Sequence, residues 1–410
     1  MLLFRWFLSS TVRRAIDLCR QVRKLTAAQR DVLPPETVEQ LLAGVARLRE
    51  TCATGDKKAI GQGIDGLEKT ANRLLRQYPF PRWRENIEVL LVTGAVVLAI
   101  RTFIFQPMAI PSGSAQPTLF GITQSPDEWA MRQGGPRIDT QLVIPGALGR
   151  FVDKWWSGIS YIHVVAKRSG ALSHISQPRM ILPFVQRQTF VVGGETYSVT
   201  YSSSFGNICE RAALRPDMEF RAGDDIIKMR VTSGDHLFVN RVIYNFRKPR
   251  RGDIIVFETQ DILKSLRPDG TRSIVADTHY IKRLVGLGGE TVRIGNDRHL
   301  VIDGTRLDAS APGFENVYSF DPKLPPRPNH FSGHVNGHVG NQVGHPGLAV
   351  LFPDETTEFH VRPGFLLPMG DNTLNSADGR SWGDVPQEKV VGRSSFVFWP
   401  ITERFGWGYR

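Results

Sequence analysis

The chain has 410 residues, 41% of them hydrophobic and 22% charged, which excludes both a disordered chain and a polytopic membrane protein. Three cysteines, Cys19, Cys52 and Cys209, are too few and too scattered for a disulfide scaffold or a zinc knuckle. Lys and Arg exceed Asp and Glu by 51 − 40 = +11, a balance that invites a nucleic-acid partner unless the charge is localised.

It is localised. Residues 1–84 carry 16 basic and 8 acidic side chains, a net of +8, and the remainder carries 35 and 32, a net of +3. Met1 to Leu8 contains Arg5, is too short to span a membrane and lacks a small-residue cleavage site, so it does not read as a removable signal peptide. Residues 1–84 read as a basic helical region, with a helical hairpin over about 35–76. Pro34-Pro35 opens the first helix, and Val38, Leu41, Leu42, Val45 and Leu48 recur on one face. After the turn-like Thr54-Gly55-Asp56, Ile60, Ile64, Leu67, Ala71 and Leu74 recur on another. The apolar run from Ile87 to Phe105 follows, broken by Glu88 and Arg101 near its ends, where long side chains snorkel to the headgroups. At 1.5 Å per residue a helix of this length reaches about 28 Å, enough for a bilayer core, and a transmembrane helix is expected over 85–106. Arg82 and Arg84 flank its near side with Trp83, and no cation cluster flanks the far side. The positive-inside rule then sets residues 1–84 in the cytoplasm and 107–410 across the membrane. The charge excess therefore reports orientation, and nucleic acid is not an expected partner.

Beyond Pro107 the texture is β. Leu237-Phe238-Val239, Ile254-Ile255-Val256-Phe257 and Ser395-Phe396-Val397-Phe398 are short apolar runs between Gly, Asp and Pro turns, which predicts a mainly β, largely antiparallel domain. Gly193-Gly194, Asp303-Gly304 and Gly288-Gly289 are turn candidates, the first inside a hairpin of Thr189–Val192 and Thr196–Val199. Four segments carry possible chemistry. In Ile110-Pro111-Ser112-Gly113-Ser114-Ala115, a Pro-bounded turn presents Ser114 beside small neighbours. Gly234–Arg241 and Arg250–Phe257 read as a strand pair joined by a basic turn. In Tyr280-Ile281-Lys282-Arg283-Leu284, strand alternation puts Lys282 on one face with Tyr280 and Leu284; an inward lysine there is desolvated and becomes a base. In Met369–Gly383, Asp378 and Arg380 stand two apart as an ion pair in a loop.

In this order, and behind a membrane segment, the four blocks resemble bacterial signal peptidase I, the membrane-bound Ser-Lys endopeptidase family. The resemblance implies an antiparallel β catalytic domain in the bacterial cytoplasmic membrane, single-pass, acting on preprotein signal peptides after small-X-small sites through an acyl-enzyme. Carried over by motif, Ser114 is the nucleophile and Lys282 the general base. Ser112 and the Ser114 N–H serve the oxyanion, and Ser376 orients the lysine. Asp378 and Arg380 support the site, and Asp371 and Asn372 shape the adjacent turn. Ile110, Pro111, Tyr280 and Ile281 line the pocket for the residue before the cut. The family implies no cofactor and no metal. Its partners are signal peptides, the lipid bilayer and the protein translocation machinery. Ser114 lies nine residues after Phe105, within about 30 Å of the membrane even if the chain is extended.

This sequence departs from the family at three places: Ala115 where Met follows the nucleophile, Thr373 where Arg follows Gly-Asp-Asn, and Gly379 where Ser precedes the later Arg. These motivate the competing reading, a relative that binds signal peptides without cutting. Two insertions are expected, at about 122–230 and 308–360. In the first, Trp155-Trp156 suits either a membrane surface or a core. In the second, His330, His334, His338 and His345 lie among Gly and Asn with no interleaved Cys or carboxylate, and read as a flexible loop rather than a metal site. Cys209 has no partner on its side of the membrane, and Cys19 and Cys52 lie on the reducing side.

Overall fold

The computed structural model describes residues 9–54, 56–76, 81–132, 134–260, 278–407. Met1 to Leu8, Gly55 of the expected turn and the Arg82 side chain lie outside the described residues. The chain divides into two compact units, Met1–Ala95 and Val96–Arg410.

The first unit holds helices α1 (Ser10–Ala28), α2 (Pro35–Thr54) and α3 (Lys57–Leu74). The apolar stripes read for residues 38–48 and 60–74 fall on α2 and α3. They close a core with a helix the sequence reading did not single out: Val12, Ala15, Cys19 and Val22 of α1 pack against Leu41, Val45 and Leu48 of α2 and Ile60, Ile64 and Leu67 of α3. Asp56 caps α3 by accepting from the Lys58 N–H at 2.9 Å. The Gln29 side chain exchanges two 3.0 Å hydrogen bonds with the Arg76 backbone, tying the end of α1 to the exit of α3. All three cysteines are free and buried.

Helix α4 (Pro81–Ala99) runs into a single π-helical stretch, Ile100–Ile104. Together Trp83–Ile104 form 22 residues long and apolar enough to cross a membrane, with no residue of the most apolar 18-residue stretch buried.

The second unit is antiparallel β throughout its described strand pairs. Its main sheet has eight strands: β1 (Phe105–Ala109), β2 (His236–Asn240), β3 (Ile254–Glu258), β4 (His279–Leu287), β5 (Phe365–Met369), β6 (Val385–Pro386), β7 (Val390–Trp399) and β8 (Gly406–Trp407). They lie in the order β1-β2-β7-β3-β4-β5-β6, with β8 on β7. The expected pairing of Gly234–Arg241 with Arg250–Phe257 is corrected here. Strand β7, more than 130 residues further along, inserts between β2 and β3 and pairs with both. It buries Gly392 so tightly that a Cβ there would come 2.4 Å from Asn240 O.

Residues 122–230 form a β-rich body around a core of their own that includes Leu172, Phe190, Phe205, Ile208, Ile226 and Met229. Its hairpin, Val185–Val192 with Glu195–Ser202, turns on Gly193 and Gly194, both at positive φ as a two-residue turn of this hand requires. Residues 308–360 are packed rather than a flexible loop. His334, Val335 and Asn336 are fully buried, and Phe314, Val317 and Phe352 join the core beneath β5. The histidines do not converge: among the described residues no group of three or more metal-ligating side chains gathers.

Candidate active site

Three stretches distant in sequence meet around a central strand of the main sheet. Ser114 sits in a 3₁₀ turn, Gly113–Ala115, just after β1. Lys282 lies in the middle of β4, and the turn after β5 closes over both. That turn holds the serine loop by its backbone: Asn372 N–H donates to Ser114 O at 3.1 Å and Asn372 Nδ2 donates to Gly113 O at 2.8 Å. The approach is close enough to require Gly370, since a Cβ there would fall 2.5 Å from Ser114 O and 2.1 Å from Ser376 Oγ.

Lys282 Nζ donates to Ser114 Oγ at 2.6 Å. Both side chains are buried, at 4% and 6% exposed. Burial lowers the lysine pKa from 10.5 to about 8; Asp378 and Asp371 pull it back up and Arg380 opposes them. The carboxylates have limited leverage because each already holds a guanidinium. Arg380 donates to Asp378 through Nε and Nη2, both at 2.9 Å, in a fully buried pair. Burial pushes the Asp378 carboxyl up, but the Arg380 charge and the bonds from Arg380 and the Gly370 N–H outweigh it and hold it below the usual carboxylate range. The second pair was not anticipated from sequence: Arg283 donates to Asp371 through Nε at 2.7 Å and Nη2 at 2.6 Å. Asp371 thus does more than shape a turn. It neutralises a buried arginine next to the lysine and accepts a short bond from Thr118 Oγ1.

Ser112 Oγ lies 3.4 Å from Ser114 Oγ, on the exposed side of the turn. Ser376 departs from its expected geometry. Its Oγ is buried and has no hydrogen-bond partner among the described residues, so it does not contact Lys282 Nζ. A cavity of about 320 Å³ opens beside Ser114 and Lys282, walled by Pro111, Tyr280, Ile281, Asn375 and Ala377. The Lys282 ammonium position is 5.4 Å from the centre of the Tyr280 ring. Ile110 does not reach this wall; it is buried behind it with Ala115 and Leu119. A second cleft, about 300 Å³, shares Pro111, Ser112 and Asn375, and both insertions line it through Gln124, Arg211, Asn329 and His345.

Such an arrangement suits nucleophilic acyl transfer: a serine hydroxyl in contact with an amine that is partly neutral near pH 7, a hydroxyl donor beside it and an open cavity before it.

Residues 227–399 match the family model described as signal peptidase, peptidase S26. That stretch holds Lys282 and both ion pairs; Ser112 and Ser114 precede it and join it through space. Signal peptidase I of Leptolyngbya laminosa is 29% identical over 168 residues, 41% of this chain and 62% of that protein. A probable signal peptidase I-1 of Synechocystis is 30% identical over 43% of this chain and 66% of its own length. A solved signal peptidase I from Enterococcus faecalis aligns over 36% of this chain and 97% of its own, with 28% identity and a TM-score of 0.21. The chain spans 56 to 66% of the length of the first three curated relatives it matches.

Proposed function

We propose that this chain is a member of the signal peptidase, peptidase S26, family that its residues 227–399 match, and that it is a membrane-anchored serine endopeptidase that removes N-terminal signal peptides from exported preproteins. The 2.6 Å contact between Lys282 Nζ and Ser114 Oγ, in a site whose burial holds the lysine near pKa 8, carries this reading. At pH 7 about one amine in eleven is then neutral, against roughly one in three thousand for a lysine at 10.5.

The neutral Lys282 takes the Ser114 proton as Oγ attacks the scissile carbonyl. The carbonyl oxygen gains the negative charge, and Ser112 Oγ and the Ser114 N–H donate to it. The resulting ammonium of Lys282 gives its proton to the leaving amine, and the mature chain departs with a new N-terminus. The signal peptide remains as an ester on Ser114. Lys282 then deprotonates a water that attacks the ester, and returns the proton to Ser114 Oγ. The residue before the cut occupies the cavity of Pro111, Tyr280 and Ile281, whose bulk favours a small side chain such as alanine. Asp378–Arg380 and Asp371–Arg283 hold this geometry while contributing no net charge. On this reading Ser376 orients the amine by turning towards it during the reaction.

On this reading α4 crosses the bacterial cytoplasmic membrane once, residues 1–84 stay in the cytoplasm, and 107–410 work on the other side. The bilayer and the translocation machinery deliver the substrate, and no cofactor or metal takes part. The test is cleavage of a preprotein with a small-X-small site by the full chain in detergent. The wild type is expected to cut once at that site, and Ser114→Ala and Lys282→Ala are expected to yield no product. Cleavage surviving in either variant overturns the Ser-Lys assignment. Wild-type binding without product supports the competing reading, a signal-peptide binder.

A further inference from the structure

Helix α5 (Ala147–Trp156), inside the first insertion, wears its amphipathic face the wrong way round for a water-soluble domain. Leu148, Phe151, Val152 and Trp155 follow one another at helical spacings of 3, 1 and 3, and they are 77%, 61%, 52% and 66% exposed. The opposite side is the one that packs: Asp153 accepts from Tyr161 OH at 2.8 Å. Lys154 is exposed towards the flank of the apolar face, and Arg150 is exposed further round the helix. The helix is held at its C-terminal end, where Trp155 O accepts from Trp399 Nε1 at 2.8 Å and Trp156 O accepts from Ile401 N–H at 2.9 Å. An apolar ridge that is anchored from behind and left bare costs solvation unless something apolar covers it.

Its surroundings say what covers it. A row of touching rings leads from the end of the apolar span to this helix: Phe105 to Phe238, Phe238 to Phe398, Phe398 to His236, and His236 to Trp399, with centroids 6.2, 4.5, 6.0 and 4.7 Å apart. Phe105 directly follows the last helical residue of that span. A cation at the flank of an apolar ridge, with tryptophan on the ridge, matches the layering of a bilayer surface, acyl chains below and phosphates at the rim.

We infer that α5 is an interfacial lipid-docking helix, which lies along the membrane with Leu148, Phe151, Val152 and Trp155 in the acyl boundary and Lys154 on lipid phosphates. The inference rests on α4 spanning the bilayer, and it adds a second, lateral attachment that fixes how the β unit sits against the surface. It gives the first insertion a purpose: to set the active site at a constant height over a membrane-held substrate.

The full chain is reconstituted in phosphatidylethanolamine/phosphatidylglycerol vesicles with a nitroxide on Leu148→Cys, or on Phe151→Cys, and with Val92→Cys in α4 as the span control. The native thiols are buried, so the introduced one takes the label. Collision with oxygen is expected to exceed collision with a water-soluble nickel chelate several-fold at both α5 sites, as at Val92. Excess nickel collisions at α5 with oxygen dominant at Val92 overturn the inference and leave the membrane anchor standing. Excess nickel at Val92 as well overturns both. Label-to-label dipolar broadening at α5 shows a second copy on the ridge and also overturns it. A functional arm uses Phe151→Asp with Trp155→Asp, both exposed positions outside the site. KM for a vesicle-held preprotein is expected to rise about tenfold, with cleavage of a short soluble peptide unchanged. An unchanged KM on vesicles counts against docking.

Discussion

Replacing Lys282 by methionine removes a buried amine and keeps an unbranched side chain. Burial lowers the lysine pKa from 10.5 to about 8, so the folded chain holds that proton less well than the unfolded chain does. The difference is worth roughly 3 kcal/mol, at about 1.36 kcal/mol per pH unit. Below pH 8 the amine is charged in both states and the fold carries the whole penalty. Between 8 and 10.5 only the unfolded chain is protonated, and stability climbs with pH. Above 10.5 the penalty is gone. Loss of the bond to Ser114 takes back about 1 kcal/mol. At pH 7 the Lys282→Met chain is therefore expected to be inactive and yet more stable by roughly 2 kcal/mol. For a unit of about 300 residues, unfolding with about 2.1 cal/mol/K each, that raises Tm by roughly 3 °C. Thermal unfolding of the full chain in detergent, followed by tryptophan fluorescence at pH 7 and pH 10, reads the effect. Ser114→Ala serves as an inactive control that keeps the lysine. The gain should be present at pH 7 and mostly lost at pH 10. A Lys282→Met chain less stable than wild type at pH 7, or a gain equal at both pH values, refutes burial as the source of the lowered pKa.

The same pKa sets the rate. kcat/KM for a peptide should rise about tenfold per pH unit up to about pH 8 and level off above it, and a flat profile between pH 6 and 9 contradicts a lysine base. Asp371→Asn strands the buried Arg283 and should cost about 3–5 kcal/mol, seen as a fall in Tm. Because Asp371 raises the Lys282 pKa, the pH profile of that variant should also move to lower pH. Gly379→Ser restores the residue the family usually has. Its Cβ would nevertheless come 2.7 Å from Pro368 O and 2.6 Å from Leu367 Cδ1, so Tm should fall by an amount matching about 1–3 kcal/mol of overpacking. An unchanged Tm would show that this turn yields freely.

The sequence announced what depends on local spacing. The stripes of α2 and α3 follow from large apolar residues at helical intervals, and the hairpin around Gly193-Gly194 follows from alternation on either side of a turn that needs positive φ. Helix α1 gives a weaker signal: its buried positions, Val12, Ala15, Cys19, Val22 and Thr26, keep helical spacing but are smaller than the leucines and isoleucines that mark α2 and α3. Arg283 was hidden for a different reason. Alternation assumes that one strand face meets water, whereas β4 is a central strand with β3 and β5 on its sides, and residues 282–286 are buried on both faces. Nothing local marks an arginine whose carboxylate lies 88 residues away. Ser114 and Lys282 drew attention only through the resemblance of four ordered blocks, because their contact joins positions 168 residues apart. The separation of β2 from β3 was equally unreadable, since the strand that divides them arrives at the end of the chain.

Thr373 and the second insertion explain one another. The Thr373 hydroxyl is fully buried and accepts twice, from Arg380 Nη1 at 2.8 Å and from the Val335 N–H at 2.9 Å. Arg380 Nη1 also reaches Val335 O at 3.2 Å, so the guanidinium that pairs with Asp378 is the same group that fastens residues 308–360 to the site. Asn372 repeats the pattern by exchanging hydrogen bonds with Asn329 while holding Gly113 O. An arginine at 373, as the family usually has, would set a second guanidinium against the first and displace Val335. In this chain the threonine is therefore part of the insertion's attachment rather than a decayed catalytic residue. Thr373→Val keeps the shape and removes both acceptor contacts, leaving two buried donors short of a partner at about 1–3 kcal/mol each. Thr373→Ser keeps them. The valine variant should lose several degrees of Tm and most of the hydrogen-exchange protection of the Val335 amide, and the serine variant should keep both. Val335 protection undiminished in Thr373→Val would mean that the insertion is held by its apolar core alone, and the departure from the family pattern would again need another cause.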